Sequence, residues 1–145
     1  MVDGAPNATR EGDPLPGQGV VTVGVTQLAE QLPASWPVPT EPPTEQARSA
    51  EVWAGAHASC FSMALSLALA QAGSPVERLD VSATVTFDQV GDGHRLTKSA
   101  LTVRGKVPGI GSEAFREAAE AAMDDCPISQ ALKGSVELSI EAILE

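Results

Sequence analysis

Basic residues are scarce in this chain: nine Lys and Arg stand against nineteen Asp and Glu, a formal net charge of −10. That balance argues against a nucleic-acid surface, which needs clustered Lys or Arg, and against anionic lipid, so neither nucleic acid nor membrane is an expected partner. Aromatic residues make up only 3% of the sequence, so the core has to rest on Ala, Val and Leu. There is no phosphate-binding glycine loop; "GQG" and "GDG" read as turns. Two cysteines and two histidines, with no C-x-x-C and no His pair at helical spacing, make a poor metal site, and no metal or other cofactor is expected. The opening "MVDGAPNATREGDPLPGQG" lacks the apolar core of a secretory signal, which makes the cytoplasm the expected location. Thiols there stay reduced unless their own chemistry cycles them.

What the sequence has instead is a long stretch without charge. From Val52 to Val76 there is no Asp, Glu, Lys or Arg. Cys60 lies inside this stretch, in "HASCFSMAL". The run is long enough to raise the question of a membrane span, but Ala, Gly and Ser outnumber Leu, and His57, Gln71 and Pro75 interrupt it. The expectation is a central helix packed on all sides by protein.

At 145 residues the simplest organisation is one domain, 1–145. Residues 1–43 read as β-structure with turns followed by a Pro-rich connection. In "GVVTVGV", Val21, Val23 and Val25 alternate with Thr22 and Gly24 as a half-buried strand. Pro33, Pro37, Pro39, Pro42 and Pro43 make the next stretch an extended connection or an edge. A helix is expected over 48–72, stopped by Gly73-Ser74-Pro75. A β-hairpin follows over 77–107: Leu79, Val81, Ala83, Val85 and Phe87 share one face, "GDG" turns the chain, and the phase of Leu96 against Leu101 predicts a bulge near 98–100. A second helical region covers 112–133. Its first helix, 112–125, has Phe115, Ala118, Ala119, Ala122 and Met123 on its apolar face. A short helix then starts at Pro127 and ends at Gly134. A final strand is expected over 135–144. Helices and strands are grouped without a βαβ series, which makes the class α+β.

Three residues could carry chemistry. An ordinary thiol, with a pKa of about 8.5, is only a few per cent ionised at neutral pH, and apolar burial suppresses the anion further. Cys60 has no charged neighbour within its run, so local physics favours an inert core thiol unless a cation or hydrogen-bond donor arrives from elsewhere. Cys126 directly precedes Pro127 at a helix N-cap, where backbone N–H groups favour a thiolate; it reads equally as a simple capping residue. His57 shares a helix face with Cys60 and reads as a buried, hydrogen-bonded histidine rather than a general base.

Taken together, "EVWAGAHASCFSMALSLALAQAGSPVERLDVSATV", "LTKSAL", "VPGI" and "CPISQALK" resemble the OsmC/Ohr family of thiol-dependent hydroperoxide reductases, and its OsmC branch in particular. The resemblance covers about Glu51 to Leu144. It implies an intertwined homodimer in which two β-sheets wrap two long central helices. It also implies reduction of organic hydroperoxides, and less efficiently hydrogen peroxide, in oxidative stress defence. By position Cys60 matches the peroxidatic cysteine, which becomes a sulfenic acid, and Cys126 the resolving cysteine, which condenses with it to a disulfide. The resemblance further implies a dithiol reductant, of the lipoyl type in the better-studied branch, that restores both thiols.

The same resemblance implies an arginine against the reactive thiolate, held by a glutamate ahead of the cysteine helix. Glu51 matches the glutamate; by itself it also reads as an acidic residue favourable to a helix N-terminus. The stretch "SWPVPTEPP", where the OsmC branch carries its arginine, has none. Arg48, three residues ahead of Glu51 and able to pair with it at helical spacing, is the favoured substitute, and Arg10 in the first β-segment is the other. The alternative function is a weak or inactive OsmC-like protein that holds an apolar ligand near Trp53, Phe61 and Met63.

Overall fold

The computed structural model describes residues 7–11, 18–23, 29–35 and 47–145, with side chains from Ala50 onward. Val25 and Pro37, Pro39, Pro42 and Pro43 lie outside the described residues. The chain divides into two compact units, Met1–Val52 and Trp53–Glu145.

The first unit holds a four-stranded sheet in the order β1-β2-β3-β4. Strand β1, Asn7–Glu11, runs antiparallel to β2, Gln18–Val23, with Arg10 opposite Gly19. Strand β3, Ala29–Ser35, is antiparallel to β2, and β4, Ala47–Arg48, is parallel to β3. Pro33 sits within β3 opposite Val20. The strand is therefore not the outermost one, yet β4 pairs only with Ala34 and Ser35 beyond it. A proline that cannot donate to a ladder is tolerated because the ladder on that side starts one residue later.

The second unit is built on a three-stranded sheet, β5-β6-β7. Strand β5, Arg78–Val90, and β6, Gly93–Lys106, form the expected hairpin around Gly91-Asp92. Gly91 has a φ of 63°, which a tight two-residue turn demands. Thr86 pairs with Lys98 but Phe87 with Leu96. The extra residue is thus Thr97, one position before the expected bulge. Its hydroxyl donates to the Thr86 carbonyl at 3.3 Å and to the Asp88 carboxylate at 2.5 Å. Strand β7, Glu137–Leu144, lies parallel to β6. The sheet therefore contains a βαβ crossover that the grouping of elements in the sequence did not reveal. Alternation identifies a half-buried strand, but it says nothing of the direction in which that strand pairs.

Helix α1, Ser49–Gln71, buries His57, Phe61, Leu65 and Leu69 at four-residue spacing. Phe61, Leu65 and Leu69 join Leu101 and Val103 of β6 in the core. The expectation of packing on all sides does not hold within one chain: on the opposite face Met63 is 68% and Leu67 59% exposed. The helix is long and apolar enough to cross a membrane by length and composition. Helix α2, Ser112–Asp125, packs on β7 and buries Phe115, Ala119 and Ala122. Helix α3, Pro127–Leu132, follows at once, with Pro127 in its first turn, and the chain turns away at Gly134 with a φ of 89°.

Candidate thiol site

Cys126 is the joint between α2 and α3. Its N–H donates to the Ala122 carbonyl and its carbonyl accepts from the Gln130 N–H, both at 2.9 Å. One residue thus closes one helix and opens the next, and its side chain is carried to full burial in the core. Cys60, two and a half turns before the end of the α1 core stripe, is only partly buried and packs against the same core. Neither cysteine is in a disulfide.

The fold brings these two thiols together across 66 residues of sequence. The Cys60 and Cys126 side chains are hydrogen-bonded to each other, and the Ile128 backbone N–H reaches the Cys60 sulphur. Pro127 has no N–H, so Ile128 is the first residue of α3 with an amide to offer. The Cys126 side chain, by contrast, caps no backbone group. The donor at the start of α3 thus serves Cys60 and not Cys126, the residue whose N-cap position suggested it. This was missed in the sequence, although the Cys-Pro pair held the signal: it fixes where the first free amide falls, but not toward what it points.

Burial is the largest influence on Cys60 and pushes its pKa above the ordinary thiol value. The Ile128 amide works the other way, while the hydrogen bond and the potential charge of Cys126 add to the rise. Among residues 50–145 no lysine or arginine acts on the Cys60 sulphur. Arg78, Lys98, Lys106 and Arg116 are instead placed by carboxylates at exposed positions, with Asp80, Glu137, Glu77 and Glu113. As it stands, the outer member of this pair of thiols needs a cation to ionise at neutral pH.

The other residues singled out in the sequence fall as follows. Glu51 is exposed in the first turn of α1. Arg48 closes β4 opposite Ser35, so the two lie on either side of a strand-to-helix junction rather than within one helix. His57 is 1% exposed, with Nδ1 at 2.7 Å from Ser99 Oγ and Nε2 at 2.9 Å from Ser129 Oγ. Both ring nitrogens are thereby satisfied, as a buried histidine requires. Ser99 and Ser129 are themselves buried; nothing in their local sequence distinguishes them from surface serines.

The model of the family described as OsmC-like protein matches residues 43–141. Peroxiredoxin OsmC of Escherichia coli (strain K12) is 42% identical over 91 residues, which make up 63% of this chain and 64% of that protein. Its counterpart in Shigella flexneri matches to the same extent. The chain thus matches less than two thirds of the length of these curated relatives. Among solved structures, an organic hydroperoxide resistance protein from Elizabethkingia anophelis has a TM-score of 0.77 at 22% identity, over 97% of this chain and 96% of that one. The organic hydroperoxide resistance protein OhrB of Bacillus subtilis has a TM-score of 0.73 at 19% identity, over 95% and 97% of the two chains. At such identities the likeness is one of fold, α+β in both cases. Over the segment that carries both thiols and the elements that join them, this chain belongs to the OsmC-like family.

Proposed function

We propose that the protein is a two-cysteine peroxidase that reduces organic hydroperoxides, and hydrogen peroxide less well. The observation that carries the proposal is the Cys60–Cys126 contact: a partly exposed thiol against a fully buried one, with a backbone amide on the outer sulphur. The names of the curated relatives, peroxiredoxin, point the same way. The Cys60 thiolate attacks the terminal peroxide oxygen, the O–O bond breaks, and the alcohol leaves with a proton, so that Cys60 becomes a sulfenic acid. The Cys126 sulphur then attacks the Cys60 sulphur, forming the disulfide and releasing water. A dithiol reductant in the cytoplasm returns both thiols and leaves as its own disulfide.

Ionisation of Cys60 needs a positive charge that residues 50–145 do not supply. In this proposal an arginine does so, Arg48 or else Arg10, with Glu51 orienting the guanidinium. A homodimer completes the arrangement. The exposed Met63 and Leu67 face of α1, lying in a run without charge, suits a second copy of the same helix, in keeping with two sheets wrapped around two helices.

The raised Cys60 pKa favours a second reading, in which the thiol is unreactive and the protein holds an apolar ligand. Mass spectrometry after treatment with cumene hydroperoxide separates the two. A peroxidase loses both free thiols and gains one intramolecular disulfide, Cys60→Ser abolishes peroxide consumption, and Cys126→Ser leaves one oxidation followed by sulfinic acid at Cys60. Two intact thiols after treatment would reject the peroxidase.

A further inference from the structure

The His57 ring is hydrogen-bonded to two other elements at once: Ser99 in the middle of β6 and Ser129 in α3. All three side chains are at most 2% exposed. Ser129 directly follows Ile128, whose amide meets the Cys60 sulphur. We propose that His57 is a positioning residue for the thiol site: its Nε2 bond to Ser129 holds the first turn of α3 where the Ile128 amide stays on Cys60.

Three observations make this bond matter more than its size suggests. Helix α3 is only six residues long, so it has little stability of its own and takes its position from what it touches. Its apolar contacts come from Ile128, partly buried against the core, and from the buried Leu132, and the polar tie at Ser129 falls between them. Finally, Ser129 also lines an open pocket of about 210 Å³ together with Met123, Asp124, Lys133, Val136 and Leu138. Among the described residues, that flank of α3 opens into the pocket. The Ser129 hydroxyl is therefore held from the His57 side, and loss of the bond frees the turn to move toward the pocket.

The imidazole suits this task because, when neutral, it presents one donor and one acceptor, and each serine hydroxyl can play either part. Truncation would leave two buried hydroxyls without partners, not one. His57 does not touch the peroxide or exchange a proton with it; it acts through Ser129 and Ile128. This role rests on the reading of Cys60 as the attacking thiol, but it is tested through thiol ionisation, which can be read even if no peroxide is turned over.

The test is the pH profile of Cys60 alkylation by iodoacetamide in the full chain, followed by peptide mass spectrometry, with circular dichroism melting as the measure of folding. Gln places its amide near the position of imidazole Nε2, and Asn near that of Nδ1. His57→Gln should therefore keep the Ser129 bond and a midpoint close to that of the unsubstituted protein. His57→Asn keeps only the Ser99 bond, and Ser129→Ala removes the tie from the other side. Each should lower Cys60 alkylation at neutral pH by about 3- to 10-fold, with the midpoint moved upward by about half to one pH unit. The His57→Asn and Ser129→Ala effects should also fail to add when combined, because both remove one bond. A folded Ser129→Ala protein with an unchanged midpoint would overturn the proposal, as would His57→Gln behaving like His57→Asn. Melting temperatures that fall while the midpoint stays put would assign His57 a structural role alone. If the His57 variants do not fold, Ser129→Ala decides.

Discussion

At the scale of single residues, the two side chains that matter most, Cys60 and His57, are both kept in their uncharged forms by burial. For His57 burial lowers the pKa below the ordinary 6.5. Just below pH 6.5 the unfolded chain therefore takes up a proton that the folded chain refuses. The contribution of this residue to stability is whole above 6.5 and is lost as the pH falls from there toward the folded value. Urea unfolding at about pH 7.5 and pH 5 should show the unsubstituted protein losing more stability on acidification than His57→Gln, which has nothing to titrate at that site. Equal losses in the two proteins would assign the effect to carboxylates instead. The histidine itself was legible in the sequence as a buried, hydrogen-bonded group. Its partners were not, since Ser99 and Ser129 lie 42 and 72 residues away.

At the scale of elements, the site depends on how closely α2 can approach β6, because α2 delivers Cys126. Gly105 on β6 permits that approach. A Cβ placed there would fall 2.7 Å from Phe115 Cε2, closer still to Cζ, and 3.2 Å from a Leu79 methyl. Phe115 is fully buried, so its ring has nowhere to retreat. Gly105→Ala should cost about 1–3 kcal/mol by urea unfolding, as overpacked cores do. Phe115→Leu, which opens the space, should cost less in the Gly105→Ala background than alone. Purely additive costs would mean that the two residues do not meet. The bounds of α2, α3 and the hairpin could be read from caps, turns and alternation. The parallel pairing of β7 with β6 could not, because period-two patterning is the same for either direction.

At the scale of the whole molecule, the exposed face of α1 is the largest departure from what one chain should tolerate. Met63 and Leu67 lie one turn apart, opposite the stripe that docks on the sheet, and are the most exposed of the large hydrophobic residues among the described residues. Covering such a side chain contributes on the order of 1.5–3 kcal/mol, and a homodimer covers each of them twice. Sedimentation velocity should find a dimer for the unsubstituted chain and a folded monomer for the double variant Met63→Glu, Leu67→Glu. A monomer in both cases would remove the second copy from the proposal.

The sequence by itself determined the α+β class, the extents of the central and second helices, the hairpin with its turn, and the choice of Cys60 and Cys126 as the residues to watch. The first three follow from local rules, the period of apolar residues, turn chemistry and capping; the choice of the two cysteines came from the resemblance of "HASCFSMAL" and "CPISQ" to the OsmC/Ohr family. Only the tertiary structure decided that the two thiols touch, that the α3 amide serves Cys60 rather than Cys126, and that His57 ties three elements together. It also revealed that α1 leaves one apolar face open. These are relations between residues far apart in the chain, set by how α1, β6 and α3 pack. A run of uncharged residues such as "HASCFSMAL" cannot disclose what will be folded against it.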